Sequence, residues 1–227
     1  MNPVKFFFEK PETYLHKNYG IQVRAYLVKN IVPKQSRTIL DVGCGNGGVS
    51  WQFLETHHIT FLDFSNNMIE LVRSRLQAKG ISNNSLVSTS VLDFRPTEKF
   101  EVILAIGVLA HLPSVEEFIR HTTEFLIKPG GTLVLQFSES TNPLTKFYLR
   151  RNYNSTYMLT PINKDILLMQ LKLRGFIVKQ TIRYGLVFPG MGFLPDRFLF
   201  FYSLLIIKSG LGRLFGSEFI LKLEWNG

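Results

Sequence analysis

Seven residues, Asp41-Val42-Gly43-Cys44-Gly45-Asn46-Gly47, limit what this chain can fold into more than any other stretch. They close a short apolar run, Thr38 to Val42, and lead into a helix predicted over 49–55. Glycine at alternate positions lets the main chain turn tightly and lets a ligand lie directly against it. An acid, Asp41, stands two residues before the first glycine, where it would oppose a pyrophosphate. No lysine follows in the manner of a phosphate-binding P-loop. A second acid, Asp63, closes the next apolar run 22 residues later, a position suited to a pair of ribose hydroxyls. Dinucleotide-binding folds share such a glycine string; the two acids and the missing lysine suit a ligand that has a ribose and no phosphate.

Beyond this turn, short apolar strands alternate with amphipathic helices, the pattern of a parallel sheet covered on both faces. Strands are predicted at 38–42, 59–63, 86–91, 101–106 and 132–137, with helices at 12–31, 49–55, 67–79 and 115–127. Thr160-Pro161 is read as the start of a further helix, a capping hydroxyl followed by proline in the first turn, and Gly175 as its end. A strand over 176–187, a helix over 195–209 with Asp196 and Lys208 matched to its dipole, and an alternating strand over 219–225 complete the chain. The last pair lacks a standard crossover helix and is read as antiparallel. The fold class is thus α/β, one domain over 1–227.

Composition removes several classes. One cysteine rules out a disulfide framework and a cysteine-based zinc site, and His57-His58 have no neighbouring ligands, so no metal is expected. The longest apolar stretch, Phe198 to Ile207, is ten residues, and a membrane-spanning helix needs about twenty. Lys5, Glu9 and Lys10 interrupt the only early apolar run, so no secretory signal is read and a cytoplasmic location is expected. Charge is unevenly spread. Residues 1–140 carry 14 basic against 13 acidic side chains, residues 141–227 carry 12 against 4. A basic, aromatic final third suits an anionic substrate, a membrane surface or nucleic acid; equally, it suits a solvated basic surface beside a buried helix.

The run Ile39 to Gly47 resembles the first motif of the class I S-adenosylmethionine-dependent methyltransferases. Leu62-Asp63-Phe64-Ser65-Asn66-Asn67-Met68 is similar to their second motif, Leu92-Asp93-Phe94 to the third, Leu109-Ala110-His111-Leu112 to the turn after the fourth strand, and Leu126 to Leu133 to the fifth-strand entry. The resemblance covers 36–137, several motifs in order at matching spacing, and fades outside it. It implies a Rossmann-like sheet of seven strands, mostly parallel with an antiparallel last strand. It also implies a helical cap at 1–35, a cofactor-binding core at 36–137, and a substrate-side insert with a C-terminal hairpin and helix at 138–227. S-adenosyl-L-methionine would be the cofactor and S-adenosyl-L-homocysteine the product.

Position by position, the resemblance implies that Gly43, Cys44, Gly45 and Gly47 bend around the methionine and ribose portions, and that Asp41 orients the amino group. Asp63 would accept from the ribose hydroxyls. Phe64 and Met68 would sandwich the adenine, and Asp93 would accept from its amino group with Phe94 beside it. Ile106 and Gly107 would lie under the methionine moiety. Tyr19 and Arg24 are candidates to close over the cofactor carboxylate, although a helix-surface arginine is an equal reading. Methyl transfer from a sulfonium needs chiefly a nucleophile held in line with the S–CH₃ bond. His111 is the candidate base, because it follows the fourth strand, at the rim where such sheets bind ligands.

Absences narrow the acceptor. The Asn/Asp-Pro-Pro-Tyr/Phe string of the methylases of exocyclic base amines and glutamine amides is missing; Ile106-Gly107-Val108-Leu109 stands in its place. The lone Cys44 in the cofactor turn argues against cysteine-nucleophile pyrimidine methylation, and no RNA-binding module or basic arm is appended. A small-molecule acceptor is the leading expectation, with nucleic acid argued against. Phe147, Tyr148, Tyr153, Tyr157, Phe188, Met191, Phe193 and Phe198, with Lys146, Arg150 and Arg151, suggest an aromatic pocket with a basic rim, or else packing of the insert on the sheet. Peripheral membrane contact through 188–215 is a further expectation for a lipid-like acceptor, although a helix at 195–209 apolar nearly all round suits burial better. A methyltransferase acting on RNA or protein, and a non-catalytic cofactor-binding module, remain open. The oligomeric state is not legible.

Overall fold

In the computed structural model, which describes residues 18–143, 146, 160–186 and 191–227, the apolar runs pair into one sheet of seven strands. These are β1 (Thr38–Val42), β2 (His58–Asp63), β3 (Ser85–Ser88), β4 (Phe100–Ile106), β5 (Ile127–Ser138), β6 (Phe176–Tyr184) and β7 (Glu218–Trp225), in the order β3-β2-β1-β4-β5-β7-β6. β1 to β5 pair in parallel, and β7 runs antiparallel to both β5 and β6. The chain changes its direction of travel across the sheet between β1 and β4. At such a switch point the loops beyond the strand ends diverge and leave a crevice.

Both faces of the central strands are covered, which is why they read as unbroken apolar runs. Leu40, Ile103, Leu133 and Leu135 face a cluster holding Phe118 from α3 (Val115–His121) and Leu171 from α4 (Lys164–Leu173). Ile39, Leu104 and Val134 face another, with Val28 from α1 (Tyr19–Val28) and Val72 from α2 (Asn66–Ala78). Caps fix two of these helices: the Ser65 and Ser114 hydroxyls accept from the amides of Met68 and Glu117.

Several predicted boundaries move. The helix expected over 49–55 is one 3₁₀ turn, Ser50–Phe53, because the chain must already be back at His58 to enter β2. Residues 12–17 of the first predicted helix lie outside the described residues. β3 ends at Ser88 instead of 91 because residues 91–93 turn. Pro129 to Gly131 do not precede β5 but form an irregularity within it, where the pairing register shifts between Phe100 and Val102. α4 starts at Lys164, not at Thr160. Asn163 caps it by accepting from the amides of Asp165 and Ile166, while the Thr160 hydroxyl donates to the Leu112 carbonyl at 3.1 Å.

The helix predicted near 195–209 forms as α5 (Asp196–Lys208), followed by the short α6 (Leu211–Phe215). α5 packs against α1 and α6 against β6. The expected all-round burial does not occur. Only the side with Leu199 and Ile206 is buried, since α5 lies outside the sheet layer with nothing described beyond it. Among the described residues no helix is long and apolar enough to cross a membrane.

Candidate active site

The crevice at the β1/β4 switch point holds the glycine turn. Gly43, Gly45 and Gly47 all have positive φ, at 63°, 53° and 72°, the left-handed region that other residues enter at a cost. Space is also short at two of them. A Cβ on Gly43 would stand 2.8 Å from Val108 Cγ2, and one on Gly47 3.0 Å from the Phe61 ring. Gly47 therefore serves packing under the turn as well as its bend. The Cys44 amide donates to the Leu62 carbonyl at 3.0 Å, tying the turn to β2, and the Cys44 thiol is buried and pushed well up by that burial.

Two carboxylates close around this turn. Asp63, at the end of β2, is 6% exposed and accepts from the Gly45 and Ser65 amides, each at 2.9 Å. Asp41, at the end of β1, is 3% exposed and accepts from Ser50 Oγ at 2.5 Å. Burial raises the Asp41 carboxyl to about 7; the Ser50 hydrogen bond offsets part of this and the neighbouring Asp63 charge adds to it. Desolvated acids beneath a glycine turn are the environment in which a cation or a pair of hydroxyls is held. Charge, donors and turn thus fit a ligand with ribose hydroxyls and an ammonium or sulfonium. Asp63 and the Gly45 main chain would hold the ribose, and Asp41 would face the positive end.

The opposite wall comes from α1 and from the ends of β4 to β7. Ile21 approaches Gly48, Arg24 approaches Gly107, and both line the cleft with Asp41, Gly43, Cys44 and Ile106. Gly107 has φ 76°, and a Cβ there would lie 3.1 Å from Arg24 Nη1. Arg24 Nη2 pairs with Glu218 Oε2 at 3.9 Å; Glu218 also accepts from Gln136 Nε2 and, at 2.6 Å, from Ser138 Oγ. Tyr184 lies buried beside Arg24, Gln136 and Glu218, and burial raises its hydroxyl pKa. His111, on the 3₁₀ turn Leu109–His111, is lowered to about 4 by burial, with the Arg24 cation adding to the effect. Its imidazole is therefore neutral at neutral pH, able to accept a hydrogen bond but a weak proton acceptor.

The structure thus gathers Asp41, Gly43, Cys44, Gly45, Asp63, Ile106, Gly107, Arg24 and His111 around one crevice. Phe64 is half-buried just past β2, and Met68 is fully buried in α2. Tyr19 opens α1 and is half-buried. Asp93 stands exposed on the turn after β3, and the Phe94 ring packs toward Phe100, 6.4 Å between centroids, within the core cluster. Of the aromatic pocket, Phe193 and Phe198 are 95% and 54% exposed and do not line an enclosed cavity. Phe147, Tyr148, Arg150, Arg151, Tyr153, Tyr157 and Phe188 lie outside the described residues.

Sequence reasoning missed Ser50, Ile21 and the Gln136–Glu218–Tyr184 group. A signal for Gln136 existed: an amide interrupts the otherwise apolar run Leu133 to Phe137. A larger depression, about 840 Å³, opens at the other end of the strands among Glu101, Lys128, Lys179, Lys222 and Glu224. It holds none of the residues assigned to the cofactor, although Lys128 to Thr132 of the fifth-strand entry line it. Two of its lysines are already paired, Lys128 with Glu101 at 3.7 Å and Lys179 with Glu224 at 3.3 Å.

Residues 40–133 match the family model of a methyltransferase domain. A ubiquinone biosynthesis O-methyltransferase from Coxiella burnetii is 26% identical over 144 residues, 63% of this chain and 59% of that protein. The chain thus spans about three fifths of the length of that relative. Among solved structures, an S-adenosylmethionine-dependent methyltransferase from Thermotoga maritima, described as a possible histamine N-methyltransferase, superposes with TM-score 0.71 at 13% identity, covering 99% of this chain and all of that one. Magnesium protoporphyrin IX methyltransferase from Synechocystis, solved with S-adenosylhomocysteine bound, gives TM-score 0.62 at 16% identity over 92% of this chain and 83% of that one.

Proposed function

We propose that the chain, whose residues 40–133 match the family model of a methyltransferase domain, transfers a methyl group from S-adenosyl-L-methionine to a small organic acceptor, aromatic, acidic or lipid-like. The observation that carries this reading is the pair of buried acids, Asp41 and Asp63, around a glycine turn at the switch point of the sheet. Relatives named for O-methylation in ubiquinone biosynthesis support an acceptor of quinone-precursor type.

When bound, S-adenosyl-L-methionine supplies an electrophilic methyl on a positively charged sulfur. Asp63 holds the ribose hydroxyls through its carboxylate, itself fixed by the Gly45 and Ser65 amides. Asp41 faces the cationic end, and Arg24, steadied by Glu218, is placed to meet the carboxylate beside Gly107. Gln136 and Tyr184, buried beside Arg24, and His111 are the polar groups behind the cleft wall that would orient an acceptor by hydrogen bonds. His111 accepts a hydrogen bond without storing a proton near neutral pH, which favours a nucleophile that is already ionised or is a neutral amine.

Incubating the purified chain with methyl-labelled S-adenosylmethionine and an extract of its source cells tests this reading. Label in the solvent-extractable or small water-soluble pool, lost with Asp63→Ala, is the expected result. Label in the macromolecular pool would replace it with an RNA or protein acceptor. Cofactor binding with no label in any pool, across extracts and purified quinone precursors, would favour a non-catalytic module.

A further inference from the structure

We propose that the outer face of α5 and α6 docks on an anionic lipid surface. The face is a row and not a scatter. Phe198, Phe201 and Leu205 recur at helical spacing along α5, off the side that buries Leu199 and Ile206, and are 54%, 68% and 64% exposed, with Leu194 just before the helix at 37%. Leu211, Leu214 and Phe215 extend it along α6, and the Phe193 side chain just before α5 is almost wholly exposed. A contiguous exposed surface of large apolar side chains marks a place where something binds.

Charge selects the occupant. Arg197, Lys208 and Arg213 stand exposed within the same segment. Its one acid before Glu218, Asp196, accepts from the Asn18 amide at 2.8 Å and so is turned toward the start of α1. A second copy of the chain meeting this face about a two-fold axis would set these cations against themselves, with no acid among the described residues of the face to answer them. A bilayer carrying anionic headgroups answers both features, since phenylalanine and leucine enter the acyl boundary while arginine and lysine reach back to the headgroups.

The placement also matters for the site. α5 packs on α1, the helix that carries Ile21 and Arg24 into the cleft. A docked molecule would bring its cleft close to the lipid surface, so that an acceptor of lipid character need not cross water. That last step rests on the proposed methyl transfer, whereas docking does not.

Vesicle flotation of the full chain tests the proposal, with cofactor binding and size-exclusion chromatography run on the same samples. Phosphatidylcholine vesicles containing about one third phosphatidylglycerol are compared with phosphatidylcholine alone. The chain is expected to float with the anionic vesicles, and to be released as salt rises from about 0.1 M to about 1 M, where the screening length falls from ~10 Å to ~3 Å. Phe198→Glu with Phe201→Glu should cut the bound fraction about tenfold or more. Arg197→Glu with Lys208→Glu should do the same at low salt. Leu211→Glu with Leu214→Glu supplies an independent pair should the first fail to fold, and Leu173→Glu, an exposed leucine on α4, should change nothing. Retained cofactor binding in the variants separates loss of docking from loss of the site. Failure of the wild-type chain to float, flotation indifferent to both apolar pairs, or a dimer split by Phe201→Glu would overturn the proposal.

Discussion

Asp41 makes cofactor binding depend on protons in a way that can be measured. Its carboxyl is buried under the glycine turn, which lifts it from the ordinary 3.8 to about 7, with Ser50 restraining the rise and Asp63 adding to it. That displacement corresponds to about 4 kcal/mol against the ionised form. A sulfonium or ammonium brought to the carboxylate favours the ionised form, so below the raised pKa the ligand must expel a proton as it binds. Apparent affinity should then rise by up to about tenfold per pH unit from about 5.5 to about 7 and level off. Titration calorimetry in two buffers of different ionisation heat should find close to one proton released at the acid end and only about a quarter of one from Asp41 at about 7.5, where the ligand's own α-amino group, titrating near 7.7–8.0, begins to add its own exchange. Ser50→Ala removes the bond that lowers the pKa and should carry the plateau to higher pH; Asp41→Asn should flatten the profile. The unliganded chain obeys the same linkage. Between about pH 4 and 7 the folded protein keeps a proton that the unfolded chain has lost, so stability falls as pH rises through that window. A flat affinity profile with no proton exchange in the wild-type chain would refute this account of Asp41.

Other expectations follow from single contacts. Asp63→Ala removes the acceptor of two backbone amides and of the ribose hydroxyls; cofactor affinity should drop by about 2–3 kcal/mol in calorimetry, with a lower melting temperature. Gly43→Val forces a β-branched residue to φ 63° and against Val108; about 1–3 kcal/mol of strain should appear in denaturant unfolding, and cofactor binding should be abolished. Arg24→Ala should weaken S-adenosylmethionine about tenfold while leaving 5′-methylthioadenosine, which lacks the amino-acid end, unchanged in competition binding.

Legibility in the sequence tracked the range of the interactions involved. β1, β2 and β4 were plain because each is buried on both faces, so the chain carries unbroken apolar runs whatever its partners. The glycine turn and its two acids were plain because the local backbone demands them. Boundaries moved where tertiary geometry decided: the return to His58 shortened the helix after the turn, and Leu112 took the hydroxyl that Thr160 would have used as a cap. Gln136, Tyr184 and Glu218 were illegible as a group because they stand on three strands joined only in the sheet. The exposed row on α5 was misread as core because an apolar sequence does not say how many of its sides a fold will cover.

The methyl donor is expected in the crevice over β1 and β4. A crystal structure of the chain with S-adenosylhomocysteine, which shares all but the methyl group, tests it most directly. Ribose hydroxyls on Asp63, the amino group beside Asp41 and the carboxylate facing Arg24 are the expected result. Ligand in the depression among Lys128, Lys179 and Lys222, or a crevice that stays closed at saturating ligand, would contradict it.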